Sequence, residues 1–182
     1  MIAPSDITVV GLGYVGLPLA LAFAEEFSTT GFDIDQARVQ QLSDGFDRNL
    51  EVDSSEINSS ELQLTNDPAC ISESSFIVVT VPTPVTDDFQ PDLSLLESAS
   101  RLIGEQLRGR SNESMTPTIV FESTTYPGCT EDFCGPLIEK ESGLKSSEGF
   151  LLGYSPERTN YGDSEHTLES VVKVVAGQTA EA

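Results

Sequence analysis

The amino-acid sequence predicts an α/β fold, a doubly wound and mostly parallel sheet with helices on both faces. Two observations carry this expectation. Apolar, β-branched runs of strand length alternate with segments of helical pattern along the 182-residue chain, the order that builds a parallel sheet through helical crossovers. The polar and glycine positions that stand out, Gly11, Asp33, Thr83, Ser123, Thr124 and Glu157, all fall at the carboxyl ends of expected strands, where such sheets collect their ligands. No internal repeat or low-complexity tract interrupts the pattern, and the length suits one domain with a real core.

The first strand, Ile7 to Val10, leads straight into Gly11-Leu12-Gly13-Tyr14-Val15-Gly16, and a helical segment from Leu17 to Glu26 follows. A second strand ends at Asp33, 22 positions after Gly11, close to the spacing of an acid that holds an adenosine ribose. Gly11 permits the tight turn, Gly13 lets backbone approach a pyrophosphate, and Gly16 lets the helix pack on the strand. The N–H groups and dipole of the helix start favour the phosphates. A glycine triplet alone is a weak signal, since glycine-rich loops are common. The strand before it, the helix after it and Asp33 select a Rossmann-type dinucleotide site. Asp33 would accept hydrogen bonds from ribose hydroxyls and repel a 2′-phosphate, which favours NAD over NADP. Arg38 opposes this, because a guanidinium there can pair with that phosphate; Asp33 carries the greater weight.

Asp35 to Leu42 reads as a short helix, and Ser43 to Ser60, polar, acidic and without periodicity, as a surface excursion. Glu61 to Thr65 is expected as a strand, with a short helix near Pro68 to Ser72. In Ser75 to Val81, six of seven residues are apolar, β-branched or both, which marks a buried strand; Pro82-Thr83-Pro84 stops it and fixes the loop. Asp92 to Gly109 is the clearest helix, with an acidic cap, apolar Leu95, Leu96, Ala99, Leu102, Ile103 and Leu107, and a terminal glycine. Thr118 to Glu122 forms the next strand and ends in Ser123-Thr124-Thr125-Tyr126-Pro127-Gly128. A helix starts near Thr130, with Pro136 expected to bend it, and Phe150 to Tyr154 and Val171 to Val175 are the last expected strands.

Composition excludes several partners. With 30 acidic against 9 basic residues, the net charge of −21 argues against nucleic acid or an anionic membrane. The uncharged run of 18 residues from Ile7 to Ala24 is no membrane span or signal peptide. Three glycines and Pro18 interrupt it, and Asp6 stands where a basic flank belongs. A cytoplasmic protein is expected. Cys70, Cys129 and Cys134 have no framework spacing, and a single histidine, His166, leaves no zinc set, so no metal site is expected.

Taken together, GLGYVGLPLA, GFDID with Arg38, VPTP, ESTTYPG, GYSPER and KVVAG resemble the nucleotide-sugar 6-dehydrogenases, the UDP-glucose and GDP-mannose dehydrogenase family. The resemblance runs from Ile7 to Gly177 and rests on the combination in this order. GYSPERTNYGD followed by His166 looks most like the branch acting on UDP-N-acetylated hexosamines for surface polysaccharides. UDP-glucose dehydrogenases usually carry a second glutamate four places beyond the one matching Glu157, and here that place holds Tyr161.

The resemblance implies a two-step oxidation of a sugar C6 alcohol to a carboxylate, with two NAD and a cysteine that holds a thioester. It implies Gly11, Leu12, Gly13, Tyr14, Val15, Gly16, Asp33, Arg38, Thr83 and Ser123 as NAD-binding, and Thr124 and Glu157 beside the reacting carbon. Glu157 would position or deprotonate the hydrolytic water, and Arg158 would touch the UDP-sugar. Without the resemblance, Thr124 reads as a cap or turn residue and Glu157 as an exposed loop acid. Family members continue into a central dimerising domain and a second nucleotide-sugar domain that supplies the cysteine and a lysine. Residues 1–182 are therefore expected to be the NAD-binding domain of a longer enzyme, monomeric and inactive alone, from a parent that is a homodimer or larger. Cys129, just before a helix start where a thiol pKa can fall, is the one rival nucleophile and reads better as structural. UDP-glucose or GDP-mannose remain alternative substrates, and a stand-alone NAD-binding regulatory module is the alternative of a different class.

Overall fold

A computed structural model describes residues 6–110, 115–157, 172–180 and 182. Its elements run β1 (Asp6–Val10), α1 (Gly16–Ala24), β2 (Ser28–Phe32), α2 (Gln36–Ser43), α3 (Ser54–Ser59), β3 (Gln63–Thr65), a 3₁₀ turn (Pro68–Glu73), β4 (Phe76–Val79), α4 (Ser94–Leu107), β5 (Thr118–Phe121), a π turn (Thr130–Cys134), α5 (Gly135–Ser142), β6 (Leu151–Tyr154) and β7 (Ala176–Gly177). The sheet order is β3-β2-β1-β4-β5-β6-β7. All pairings are parallel except that of β6 with β7. The order reverses between β1 and β4, and that switch point leaves a crevice at the carboxyl edge.

Side-chain alternation along the strands builds two cores, one on each face. Ile7 and Val9 of β1 and Val78 of β4 join Leu17, Ala20 and Leu21 of α1. Val10, Ile77 and Val79 face the other way and pack with Leu96, Ala99 and Ile103 of α4 and Ile138 of α5. A strand with a helix on each side must be apolar at successive positions, which is why β4 reads FIVV. Asp35 caps α2 by accepting from the Ala37 N–H at 2.9 Å, and Asp92 accepts from the Ser94 N–H at 2.9 Å. Gly109 closes α4 at φ +80°.

Three details depart from the sequence reading. Pro136 stands where the winding changes, in the first turn of α5 directly after the π turn, with helical backbone at Cys134 and Gly135, so the irregularity expected at the proline is a local change of winding. Of the strand expected over Val171 to Val175, Val171 lies outside the described residues, and Val172, Val174 and Val175 are exposed. Pairing falls instead on Ala176 and Gly177, antiparallel to β6.

The third departure matters most, because the segment from Ser43 to Ser60 is not a bare surface excursion. It holds α3, buries Val52 and Ile57 against the α1 face, and contributes Asp47 at 4% exposure. Asp47 forms an ion pair with Arg38 at 2.7 Å, both side chains 1% exposed. Two apolar residues five positions apart in a polar run give no helical period, and a buried salt bridge leaves no hydrophobic trace. Burial pushes the Asp47 carboxyl up, but the Arg38 guanidinium and the N–H groups of Asn49 and Glu51 outweigh it and leave it below the ordinary carboxylate value.

Asp47→Asn should therefore cost about 3 kcal/mol, because it leaves the Arg38 charge buried without a counter-charge. A folded-state pKa held below the unfolded one adds stability above the unfolded value, lost as pH falls through the folded value. The wild-type protein should lose this contribution below about pH 4, and Asp47→Asn should flatten that part of the curve. Urea unfolding of both proteins across acid pH checks this; equal stability at neutral pH would refute it.

Candidate functional site

The turn after β1 is built by close approach. Gly11 sits at φ +97°, and its N–H donates to the Phe32 carbonyl at 2.8 Å, tying the turn to the end of β2. A Cβ on Gly16 would lie 1.9 Å from the Gly11 oxygen and 2.4 Å from Thr80 Oγ1, so only glycine lets α1 start there. Thr80 Oγ1 donates to the Gly11 carbonyl at 2.7 Å, with the Val10 carbonyl at 3.1 Å. Gly13 is the opposite case, since a Cβ there would meet nothing within 4 Å. No side chain caps the start of α1. Open space beside an uncapped helix start suits a pyrophosphate.

Leu12 is clamped from both ends of its backbone. Its N–H donates to Asp33 Oδ2 at 2.8 Å, and its carbonyl accepts from Arg38 Nε at 2.8 Å. Asp33 Oδ1 accepts from the Asp35 N–H at 2.9 Å. A carboxylate offers about four lone pairs, so Asp33 keeps acceptor capacity for a ribose while bracing the turn.

The crevice itself is a cleft of about 430 Å³. Gly13, Tyr14 and Val15 line one wall, Thr80 to Pro84 the floor, and Glu122, Ser123, Thr124 and Glu157 the far wall. Thr83 Oγ1 donates to the Thr124 carbonyl at 2.7 Å, and Ser123 Oγ to the Val81 carbonyl at 2.6 Å. These bonds lock the loops after β4 and β5 together, and the oxygens retain lone pairs to accept from a ligand. At the far wall, Glu122 is buried at 6% exposure. Its Oε2 accepts from Lys173 Nζ at 2.5 Å, and the same ammonium lies 3.8 Å from Glu157 Oε2. Burial lifts the Glu122 carboxyl above its ordinary value; Lys173 opposes the rise and the Glu157 charge adds to it.

A glycine turn open at Gly13, an acid at the end of β2 and a polar cleft at the switch point describe a dinucleotide site, and comparison with known proteins says which. Residues 5–182 match the UDP-glucose/GDP-mannose dehydrogenase family, NAD binding domain. The chain belongs to this family. It is 46% identical over 176 residues to UDP-N-acetyl-D-glucosamine 6-dehydrogenase of Pseudomonas aeruginosa, covering 96% of this chain and 40% of the relative. It is 42% identical over 178 residues to Protein CapL of Staphylococcus aureus, covering 97% and 40%. Among solved structures, NDP-N-acetyl-D-galactosaminuronic acid dehydrogenase from Methanosarcina mazei superposes with TM-score 0.81 at 29% identity, covering 97% of this chain and 39% of that one. The chain thus spans about 40% of the length of the curated relatives it matches.

As an NAD-binding domain of this family, the chain divides its expected site residues into three groups. Gly13, Tyr14, Val15, Thr83, Ser123, Thr124 and Glu157 meet in the one cleft. Gly11, Gly16, Leu12, Asp33 and Arg38 form the frame under and beside it. Leu12 is fully buried, and Arg38, expected from the resemblance to help hold NAD and weighed as a possible partner of a 2′-phosphate, is turned inward to the Leu12 carbonyl and Asp47. Its guanidinium therefore does not stand at the surface, which removes the objection to Asp33. Arg158 and Tyr161 lie outside the described residues.

Three contributors to the site were missed in the sequence, namely Thr80, Glu122 and Lys173. The last two stood inside the ESTTYPG and KVVAG motifs, but a strand-end acid and a lone lysine show their pairing only in three dimensions. Cys129 is buried, which removes it as a nucleophile, while burial pushes the Cys70 thiol to about 11 and the Cys134 thiol to about 12. Among the described residues, no group of three His, Cys, Asp or Glu is placed to hold a metal ion, and no helix is long and apolar enough to cross a membrane.

Proposed function

We propose that this chain is the NAD-binding domain of a nucleotide-sugar 6-dehydrogenase that oxidises the C6 alcohol of a UDP-N-acetylhexosamine to a carboxylate for surface polysaccharide synthesis. The observation that carries this reading is the cleft, with its open glycine turn at one wall and Thr124 and Glu157 at the other. The 46% identity to a UDP-N-acetyl-D-glucosamine 6-dehydrogenase supports the sugar class. Cytoplasmic placement fits an oxidation that draws on NAD, and the three free cysteines agree with it.

NAD, when bound, supplies the hydride acceptor for both oxidation steps. The protein does the rest by placement. Gly13 leaves room for the pyrophosphate, and Asp33 accepts from the ribose hydroxyls. Thr124 orients the C6 oxygen, and Arg158 contacts the sugar nucleotide. Glu157 takes a proton at the reacting carbon and aligns the water that releases the acid. No cysteine lines the cleft among the described residues, so none of Cys70, Cys129 and Cys134 is given the thioester that the resemblance calls for.

Calorimetry with both cofactors tests the binding half directly. NAD should bind at least about tenfold more tightly than NADP, because a 2′-phosphate would face the Asp33 carboxylate. Asp33→Ala should weaken NAD by about tenfold, the worth of one charged hydrogen bond, and narrow the gap between cofactors. Equal affinity for NADP in the unaltered protein would overturn the assignment.

A further inference from the structure

The far wall of the cleft contains more charge than the proposed chemistry uses. Glu157, at the end of β6, is the proton acceptor in that reading, and it does not stand alone. Lys173, from the segment before β7, reaches in behind it. Its ammonium lies 2.5 Å from Glu122 and 3.8 Å from Glu157, so one cation serves two carboxylates on neighbouring strand ends. The side chains of Glu122, Glu157 and Lys173 are only 6%, 11% and 24% exposed, which leaves the three charges poorly screened by water. Tyr14, across the cleft, is the other titratable group that lines it among the described residues.

The two contacts are unequal, and the inequality has a function. The short contact to Glu122 fixes the lysine, because a buried carboxylate without it would lack a counter-charge. The longer contact places the ammonium where its charge acts on the Glu157 carboxylate. We propose that Lys173 is a positioning residue for the reaction: anchored by Glu122, its ammonium holds the Glu157 carboxylate ionised and in place at the cleft, ready to take a proton. The inference rests on the role given to Glu157 above and adds the residue that sets its charge.

The proton balance is simple. With Glu122 and Glu157 ionised and Lys173 protonated, the cluster carries one net negative charge. When Glu157 accepts a proton from an alcohol or a water, the cluster becomes neutral, with Lys173 unchanged. Lys173 therefore never has to give up a proton, and a permanent cation should replace it.

Carbon-13 carboxyl NMR of the 182-residue protein reads this directly, with the Glu157 signal assigned by its loss in Glu157→Gln. Lys173→Met should raise the Glu157 titration midpoint by about one unit, the effect of removing an opposite charge within a few ångströms. Lys173→Arg should restore it, which a purely structural role for the lysine would not require. If Lys173→Met does not fold, Lys173→Gln, which keeps a polar donor and loses the charge, decides instead: a Glu157 midpoint that falls or stays still in it overturns the proposal. An unmoved midpoint in a folded Lys173→Met overturns it equally, whatever Glu157 does. Shifted midpoints combined with normal turnover of Glu157→Gln in a complete enzyme would instead sink the role of Glu157, and with it the reaction that Lys173 is said to serve.

Discussion

Gly16→Ala is expected to lose NAD binding altogether and to unfold the protein at much lower denaturant. The added Cβ would stand 1.9 Å from a backbone oxygen, that of Gly11, and 2.4 Å from Thr80 Oγ1. The hydroxyl can rotate away only by giving up its bond to the Gly11 carbonyl, and that carbonyl belongs to a turn that is pinned from three sides. Gly11 N–H is bonded to Phe32, its carbonyl accepts from Thr80, and the next peptide is held by Asp33 and Arg38. Relief therefore requires α1 to leave the sheet, taking Leu17, Ala20 and Leu21 out of their core. Overpacking against backbone that cannot yield belongs to the small class of substitutions costing more than about 4 kcal/mol.

Gly13→Ala makes the contrast, because its Cβ meets nothing within 4 Å. It should keep the wild-type melting temperature while binding NAD far more weakly, the methyl occupying the space left for the pyrophosphate. Thermal unfolding and calorimetry on the pair separate the two jobs. A Gly16→Ala protein as stable as wild type would show that the helix can retreat. Full NAD affinity in Gly13→Ala would show that the dinucleotide passes elsewhere.

These glycines were legible in the sequence because their constraint is local, a turn between a strand and a helix that come one after the other. The same is true of β4, whose run of β-branched residues reports burial on both faces, and of α4, whose apolar spacing reports one buried side. What was not legible is what depends on distant partners. Arg38 could be weighed as a partner of a 2′-phosphate only as long as Asp47, nine residues on in an acidic stretch, looked like surface. Once paired, it becomes the brace that holds the Leu12 carbonyl. Lys173 and Glu122 are 51 residues apart, and only the adjacency of β5, β6 and β7 brings them together. Val172, Val174 and Val175 show the reverse failure, because β-branched composition reports strand propensity and not whether a neighbouring strand is there to pair. Thr80 lay one residue beyond β4, where a threonine is ordinary, and nothing in its neighbours marked the bond to Gly11.

The largest effect on chemistry is expected at Glu157, and it follows from what each oxidation step needs. Hydride transfer from C6 requires an oriented alcohol and a place for its proton; release of the acid requires an activated water at the same carbon. Glu157 shares the cleft wall with Thr124, and Lys173 lies 3.8 Å from its carboxylate, a neighbouring cation that favours the ionised form a general base needs. Loss of a positioned general base costs on the order of 10² to 10⁴ in rate. The loss should fall mainly on hydrolysis, because an alcohol already bound near NAD can lose its proton to water more readily than an unaligned water can attack an acyl group. In a complete nucleotide-sugar dehydrogenase carrying this domain, Glu157→Gln should reduce NAD in an initial burst and then stall with the sugar covalently held. Intact-mass spectrometry after mixing with UDP-N-acetylhexosamine should show that adduct. Glutamine keeps the size and one acceptor oxygen, so a folding defect would not explain a burst followed by a stall. Normal steady-state turnover, or slow turnover in which no adduct accumulates, would remove Glu157 from the hydrolytic step.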